Sequence, residues 1–459
     1  MRVLVTGDRG YIGSVMVPMM LAEGFDVVGL DTDYFDGCDF GQNQRMVFSL
    51  NKDLRNVQIG DMRHFDAIIH LGGLSNDPLG EIDPVLTYDI NHHASLQLAL
   101  FAKDAGINRF LFSSSCSNYG SAGDDLLTED SPLNPLTAYG ISKVRVEKDV
   151  SSLADDNFSP TFLRNGTAYG VSPRLRLDIV LNNLVASAFT TGKILLNSDG
   201  RAWRPIVHIE DISRAFIEVL KAPREKVHNQ IFNVGAVEGN YRILEIAEMV
   251  REMIPCEIEY VPNAKTDLRC YRVDCSKLLT LFPEYKPKWT ARKGVCELYE
   301  AYKSIGLSHN DFVGSRYKRL DHITSLMRVG LLDSDLRWTK VLKVLEDKPM
   351  DNPEDLKLTP FPDVGALDLV FPDLTSDEII HWKKEAELAQ YNPNFGHMAA
   401  SLFFNGGKVP RRPDVSDEEY TRGRAYLQKW LGSYAPRHED KELVAGYILS
   451  RISILTQGN

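Results

Sequence analysis

The first apolar run of this chain passes directly into three glycines at a spacing that few folds accommodate. Arg2-Val-Leu-Val-Thr6 reads as a strand, Gly7-Asp-Arg-Gly10-Tyr11-Ile12-Gly13 follows without a gap, and residues 14–23 continue as a helix despite Pro18. Glycines so placed let the backbone turn sharply, approach a pyrophosphate closely and pack the helix against the strand. The phosphates then face open amides at the helix N-terminus. Three glycines alone are weak evidence; the strand before them and the helix after them make the pattern specific. Residues 25–30 and 67–71 are further apolar strands, and residues 92–105 have helical character. Strands alternating with helices point to an α/β fold on a mostly parallel sheet with crossover helices.

At 459 residues the chain is too long for one core and suits two or three domains. Its formal net charge of −11 leaves no basic footprint, so no nucleic-acid partner is expected. Cys38, Cys116, Cys256, Cys270, Cys275 and Cys296 are scattered without C-x-x-C spacing and suit buried or incidental thiols in a reducing compartment. No apolar run reaches the roughly 18 residues of a membrane span, and the N-terminus enters a strand at once. The expectation is a cytoplasmic protein with neither membrane segment nor signal peptide. No metal cluster is expected either; His381 and His397 read as isolated surface residues.

The carboxyl ends of the strands carry the polar side chains. Asp31 ends the second strand, where a carboxylate accepts both ribose hydroxyls of an adenosine and repels a 2′-phosphate, favouring NAD over NADP. Gly60-Asp61-Met62 ends another short run, placing Asp61 for an adenine amine and Met62 beside the ring. Leu71 and Gly72 close the run 67–71, where two glycines suit close passage of a cofactor. Arg109-Phe-Leu-Phe112 leads into Ser113-Ser114-Ser115, and open sheets place ligands at such ends. Tyr139 and Lys143 are four apart and share one face of a helix. A phenol titrating near 10 is a poor base, but a neighbouring ammonium and a positive nicotinamide favour phenolate. Ser115, Tyr139 and Lys143 thus form a proton-handling set for oxidising or reducing a carbinol. Tyr139 takes the hydroxyl proton, Ser115 donates to the same oxygen, and Lys143 also holds the nicotinamide ribose.

As a set, these motifs resemble the extended short-chain dehydrogenase/reductases, in their nucleotide-sugar epimerase and dehydratase branch, over about residues 1–335. The set comprises Thr6-Gly-x-x-Gly-x-x-Gly13, Asp61-x-Arg63, Ser113-Ser114-Ser115 with Tyr119-Gly120, and Tyr139-x-x-x-Lys143. Arg164 ahead of Tyr169-Gly170, and Arg204-Pro-Ile-Val-His-Ile-Glu-Asp211, complete it. The resemblance implies a Rossmann-type NAD-binding domain from residues 1–170 with a return segment at about 206–255. It also implies a smaller substrate domain from 171–205 and 256–335, a nucleotide-sugar substrate and a homodimer. Ser115, Tyr139 and Lys143 become the catalytic triad. Gly7, Gly10, Tyr11, Ile12, Gly13, Asp31, Asp61, Met62, Leu71 and Gly72 join Tyr139 and Lys143 at the cofactor. Asn165, Asn182, Arg204 and Arg269 become contacts to the sugar or its diphosphate, for which the fixed fork of arginine is suited. His208, on an alternating apolar run, reads as structural.

The branch's 4,6-dehydratases carry an acid pair after the catalytic Ser or Thr, whereas Cys116-Ser117-Asn118 stands here. The expected reaction is therefore epimerisation through a transient 4-keto sugar, with Cys116 and Asn118 lining the sugar region. Cys116 as the base of a 3,5-epimerisation-like step is a minor variant. A net nucleotide-sugar oxidoreductase or a decarboxylase is the alternative, with Thr167 or Arg174 near the sugar C6. An inactive sugar-nucleotide-binding regulatory protein is the alternative of another class. Ser172-Pro-Arg-Leu-Arg-Leu-Asp178 is a basic loop that reads either as a grip for a carboxylate or diphosphate or as a solvated turn. Prolines between 349 and 372 mark a linker over 336–374. Capping-box patterns at Thr375-Ser-Asp-Glu378 and Ser416-Asp-Glu-Glu419 predict a helical extension over 375–459, read as a packing or oligomerisation appendage, a lid or a docking module.

Overall fold

Seven strands pair in parallel as the central sheet, because their apolar residues must be covered on both faces. Their spatial order is Gln230–Val234, Ser159–Asn165, Arg109–Ser115, Ala67–His70, Arg2–Thr6, Asp26–Asp31 and Ser49–Asn51. The computed structural model describes residues 1–339, apart from 43–45, 237, 266 and 268. Val3, Leu4 and Val5 are inaccessible, although successive side chains point to opposite faces. One face packs on helices Gly13–Ala22 and Ile209–Lys221, through Met16, Met20, Ile212 and Phe216. The other packs on Ala94–Asp104 and Ala138–Ser151, through Leu98, Ala102, Val146 and Val150. Each large side chain so buried contributes about 1.5–3 kcal/mol.

Strands accumulate first on one side of Arg2–Thr6 and then on the other. The order reverses between Arg2–Thr6 and Ala67–His70, and doubly wound sheets bind ligands beyond the carboxyl ends at such a point. Over that edge lie three smaller sheets. Trp203–His208 pairs with Thr167–Tyr169 and Asn240–Arg242, Lys193–Ser198 with Glu257–Lys265, and Ser121–Leu127 with Cys270–Val273. Helices Val180–Thr191, Ile243–Met253 and Ala291–Ile305 form a separate apolar cluster behind them. All of this belongs to one compact unit, Met1–Leu320; a second begins at Asp321, ahead of the boundary expected at 335. Residues 340–374 of the expected linker and the whole expected extension 375–459 lie outside the described residues. Among the described residues no helix is long and apolar enough to cross a membrane.

Two local expectations change. Residues 59–62 form a short 3-10 turn, Ile59–Met62, in which the Asp61 carboxylate takes the Gln58 amide at 2.8 Å. That side-chain bond offers the backbone an alternative to a ladder. The edge strand is Ser49–Asn51 instead. A π-turn, Asp89–His93, precedes helix Ala94–Asp104.

Asp8, inside the glycine turn, is wedged against Gly29 so closely that a Cβ there would lie 2.1 Å from its carboxylate. Ser49 donates to it at 2.9 Å. Burial, then the charge of Asp31, pushes its carboxyl up to about 7. Between about 3.9 and 7 the folded chain therefore keeps a proton that the unfolded chain has released, and stability falls as pH rises through that window. Asp8→Asn removes this loss. Its Tm is expected to exceed that of the unsubstituted protein above about pH 7.5, by a difference equivalent to about 2–4 kcal/mol, and to converge near pH 4. Thermal melts at both pH values check it; a pH-independent difference would contradict the titration.

Candidate active site

A cleft of about 910 Å³ opens at the carboxyl ends of the central strands. At one end lies the glycine turn. Gly7 has φ +75°, and a Cβ there would sit 2.8 Å from the Gly72 backbone nitrogen, so only glycine fits where the two strands end side by side. Helix Gly13–Ala22 has no side-chain cap at Ile12. The Gly10 amide donates to the Gly7 carbonyl at 3.0 Å, whereas Tyr11, Ile12 and Gly13, on the cleft wall at the helix start, offer amides to an anion. Tyr11 Oη donates to the Gly170 carbonyl at 2.7 Å. Asp31, Leu71 and Gly72 line the same region. The Asp31 carboxylate accepts the amides of Arg9 at 3.1 Å and Asp33 at 2.7 Å. Burial raises its pKa, and the Asp33 charge adds to that.

Asp61 and Met62 are not brought to the cleft. Lys52 Nζ holds both Asp61 oxygens, at 2.8 and 2.7 Å, and Met62 is fully buried in the core under helix Ala94–Asp104. Lys52, Asp53 and Leu54 line the cleft instead, directly after strand Ser49–Asn51. Asp53-Leu-Arg55 has the same acid-x-Arg spacing as Asp61-x-Arg63. The available signal was the strand before it, since ligands collect at strand ends.

Ser115 ends its strand, while Tyr139 and Lys143 lie on helix Ala138–Ser151, capped by Thr137, whose Oγ1 accepts the Gly140 amide at 3.2 Å. All three side chains line the cleft. Lys143 Nζ donates to the Ser113 carbonyl at 2.8 Å and lies 5.7 Å from the centre of the Tyr139 ring. Ser115 Oγ donates to Ser117 Oγ at 3.0 Å. The same Oγ also accepts the Ser117 amide at 3.1 Å. Burial pushes the Tyr139 phenol up to about 12, with the Ser115 hydroxyl opposing it. Among the protein's own groups desolvation exceeds what neighbouring charges return, so the pull toward phenolate falls to the nicotinamide charge. Burial likewise draws Lys143 down to about 8, with Glu147 opposing.

Beneath these groups runs a buried polar network. Arg164 Nη2 meets Glu147 at 2.6 Å, with both side chains buried. Asn118 donates to Glu147 at 2.9 Å, as does Ser114 Oγ at 2.5 Å. Tyr119 Oη accepts from Arg164 Nη1 at 3.0 Å and donates to Asn233 Oδ1 at 2.8 Å. The sequence motif around Tyr119 and Arg164 therefore builds the floor of the site. Of residues 116–118 only Ser117 lines the cleft, which corrects the placement expected for Cys116 and Asn118. Cys116 Sγ donates to the Arg164 carbonyl at 3.2 Å, and burial pushes its thiol far up, removing it as a base.

At the opposite end, Asn165 Nδ2 donates to Ser113 Oγ at 3.0 Å, and its Oδ1 has no partner among the described residues. Asn182 is fully buried and off the cleft. It accepts the Gly170 amide at 3.1 Å and donates to the Arg176 carbonyl at 3.0 Å, while the adjacent Asn183 lines the cleft. One residue turns a helix by about 100°, which exchanges the inward and outward asparagines. Arg204 and Arg269 both reach the cleft and share Asp267, at 2.6 and 3.0 Å; Arg269 also meets Asp77 at 2.7 Å. The loop over 172–178 is neither solvated nor wholly at the cleft. Arg174 is buried among Asp33, Asp36 and Asp39, whereas Arg176 lines the cleft, paired with Asp178 at 2.9 Å. Thr167 also lines it. His208 is buried off the cleft, 2.9 Å from Glu297 and stacked on Trp289 at 3.9 Å. Among the described residues no group of three or more His, Cys, Asp or Glu side chains could hold a metal ion.

Residues 3–235 match the NAD dependent epimerase/dehydratase family. The chain belongs to that family. It is 31% identical over 317 residues to a UDP-glucose 4-epimerase of Lactobacillus helveticus, an alignment spanning 63% of this chain and 92% of that protein. Among solved structures it resembles the Thermus thermophilus UDP-glucose 4-epimerase complex with NAD, with TM-score 0.56 and 24% identity, over 66% of this chain and 99% of that one. It also resembles TunA, an NAD dependent NDP-hexosamine 5,6-dehydratase, with TM-score 0.60 and 21% identity, over 66% and 98% of the two chains. These likenesses show a shared Rossmann-type fold.

This epimerase/dehydratase-family chain is an NAD-dependent enzyme, and its cleft fits the dinucleotide. The glycine turn leaves room for a close backbone approach, the uncapped helix offers amides to a diphosphate, and Asp31 stands at the strand end for ribose hydroxyls. Tyr139, Lys143 and the unpartnered Asn165 Oδ1 surround the far end of the same space.

Proposed function

We propose that this chain epimerises a nucleotide sugar at C4 through a transient keto sugar. The observation that carries the reading is that Ser115, Tyr139 and Lys143 line one cleft while residues 116–118 bring no acid to it. The acids that do reach the sugar end are committed to cations: Asp77 to Arg269, Asp178 to Arg176 and Asp267 to Arg204. None is poised to protonate a leaving hydroxyl, as dehydration requires.

NAD, when bound, supplies a hydride acceptor, the return of that hydride and a fixed positive charge. Gly7, Gly10, Tyr11, Ile12 and Gly13 hold its phosphates; Asp31, with Lys52 and Asp53, faces its adenosine half. Tyr139 Oη removes the proton from the sugar C4 hydroxyl and returns it after the keto sugar has turned. Ser115 Oγ donates to the same oxygen and limits charge development there. Lys143 holds a positive charge near the Tyr139 ring, favouring the phenolate during proton removal. Arg204 and Arg269 offer their remaining donors to the substrate diphosphate while keeping Asp267 and Asp77 paired, and Asn165 and Asn183 orient the sugar.

Incubation with UDP-, dTDP-, GDP- and CDP-sugars in deuterated water, read by NMR, tests this. A C4 epimer without deuterium at C3 or C5 and without net NADH is expected. Stoichiometric NADH, or a keto-6-deoxy sugar formed by loss of water and return of the hydride, would overturn it.

A further inference from the structure

Arg319 opens helix Arg319–Arg328, and nothing in the sequence motifs points to it. Its side chain lines the cleft together with the glycine turn, Asp31 and Phe35, yet the residue is only 2% exposed. The guanidinium lies 3.9 Å from the centre of the Phe35 ring, and Nη2 donates to the Arg174 carbonyl at 3.0 Å. Nη1 has no hydrogen-bond partner among the described residues.

The nearby carboxylates are occupied by other groups. Asp178 holds Arg176 at 2.9 Å and Asn76 at 2.8 Å, and its contact with Arg319 is to the backbone amide, at 3.3 Å. Asp33 binds Arg9, and Asp33, Asp36 and Asp39 surround Arg174. Burial, and then the charge of Arg176, draws the Arg319 guanidinium down to about 10. A buried, charged donor without an acceptor is costly, and an anion in the cleft would remove that cost. Phe35 belongs to the loop that leaves Asp31 and Asp178 borders the sugar end, so Arg319 stands between the two, whereas Arg204 and Arg269 lie at the sugar end.

We propose that Arg319 donates from Nη1 to a phosphate oxygen of the bound dinucleotide, as an anchor additional to the glycine turn. The proposal rests on the dinucleotide occupying this cleft, which binding of NAD to the unsubstituted protein tests by itself.

Calorimetric titration of the nucleotide-stripped full chain with NAD, ADP, adenosine and UDP decides it. Arg319→Gln is expected to weaken NAD and ADP by about ten- to a hundredfold, and to leave adenosine and UDP within about twofold. Arg319→Lys keeps the charge but not the fork and should recover part of the loss. Should Arg319→Gln fail to fold by circular dichroism, Arg319→Lys carries the test, with a loss of about threefold or more confined to NAD and ADP expected. Unchanged NAD and ADP binding overturns the proposal. So does equal weakening of adenosine, which marks general damage, or weakening confined to UDP, which places the contact on the substrate diphosphate. An unsubstituted protein that binds no NAD refutes the underlying reading of the cleft instead.

Discussion

Tyr139→Phe is expected to lower turnover by about 10²–10⁴-fold while nucleotide binding persists. The substitution keeps the ring on the cleft wall beside Ser115 and removes only Oη. The Tyr139 phenol is held up at about 12, so no spontaneous phenolate is available near neutral pH, and proton removal depends on positive charge brought into the site. Rates with a saturating sugar nucleotide, set beside the NAD content of the purified variant, check the expectation. Turnover within about tenfold of the unsubstituted enzyme would mean that another group moves the proton.

Glu147→Gln is expected to destabilise the fold by about 3–5 kcal/mol, although Glu147 does not touch the cleft. The substitution strands the Arg164 guanidinium, a charge whose side chain is 3% exposed, and weakens the bonds from Ser114 and Asn118. Ser114 and Ser115 are neighbours on one strand, so kcat should fall with stability as the proposed catalytic hydroxyl of Ser115 loses its backing. Urea unfolding measures the first effect. A loss below about 1 kcal/mol, the range of exposed pairs, would show that water reaches the pair. Glu147→Gln combined with Arg164→Met should recover part of the loss, since removing both charges leaves none unpaired.

Much of this architecture was legible because it is local. The strand, glycine turn and helix over residues 2–22 each follow from short-range backbone preferences, and only glycine tolerates the φ of Gly7. Tyr139 and Lys143 sit on one helix face by spacing alone. The errors have the same scale. Asp53 and Asp61 both precede an arginine at the same spacing, and strand pairing decides which of the two runs follows a strand. Asn182 and Asn183 are adjacent, and the phase of their helix against its core decides which one faces the cleft. Arg174 and Arg176 are alternate residues of one loop, and ion pairing with Asp33, Asp36 and Asp39 draws only the first away from the cleft.

By itself the sequence determined the sheet class, the glycine turn for a dinucleotide and the identity of the Ser115, Tyr139 and Lys143 set, since propensity and spacing act over a few residues. Tertiary structure alone decided which polar groups face the cleft, which are consumed in the floor beneath it, and that burial raises the Tyr139 phenol. It also brought Arg319 beside residues nearly three hundred positions earlier in the chain, with one buried donor left unpaired. Desolvation and long-range pairing depend on what surrounds an atom in space, and sequence neighbours do not specify it.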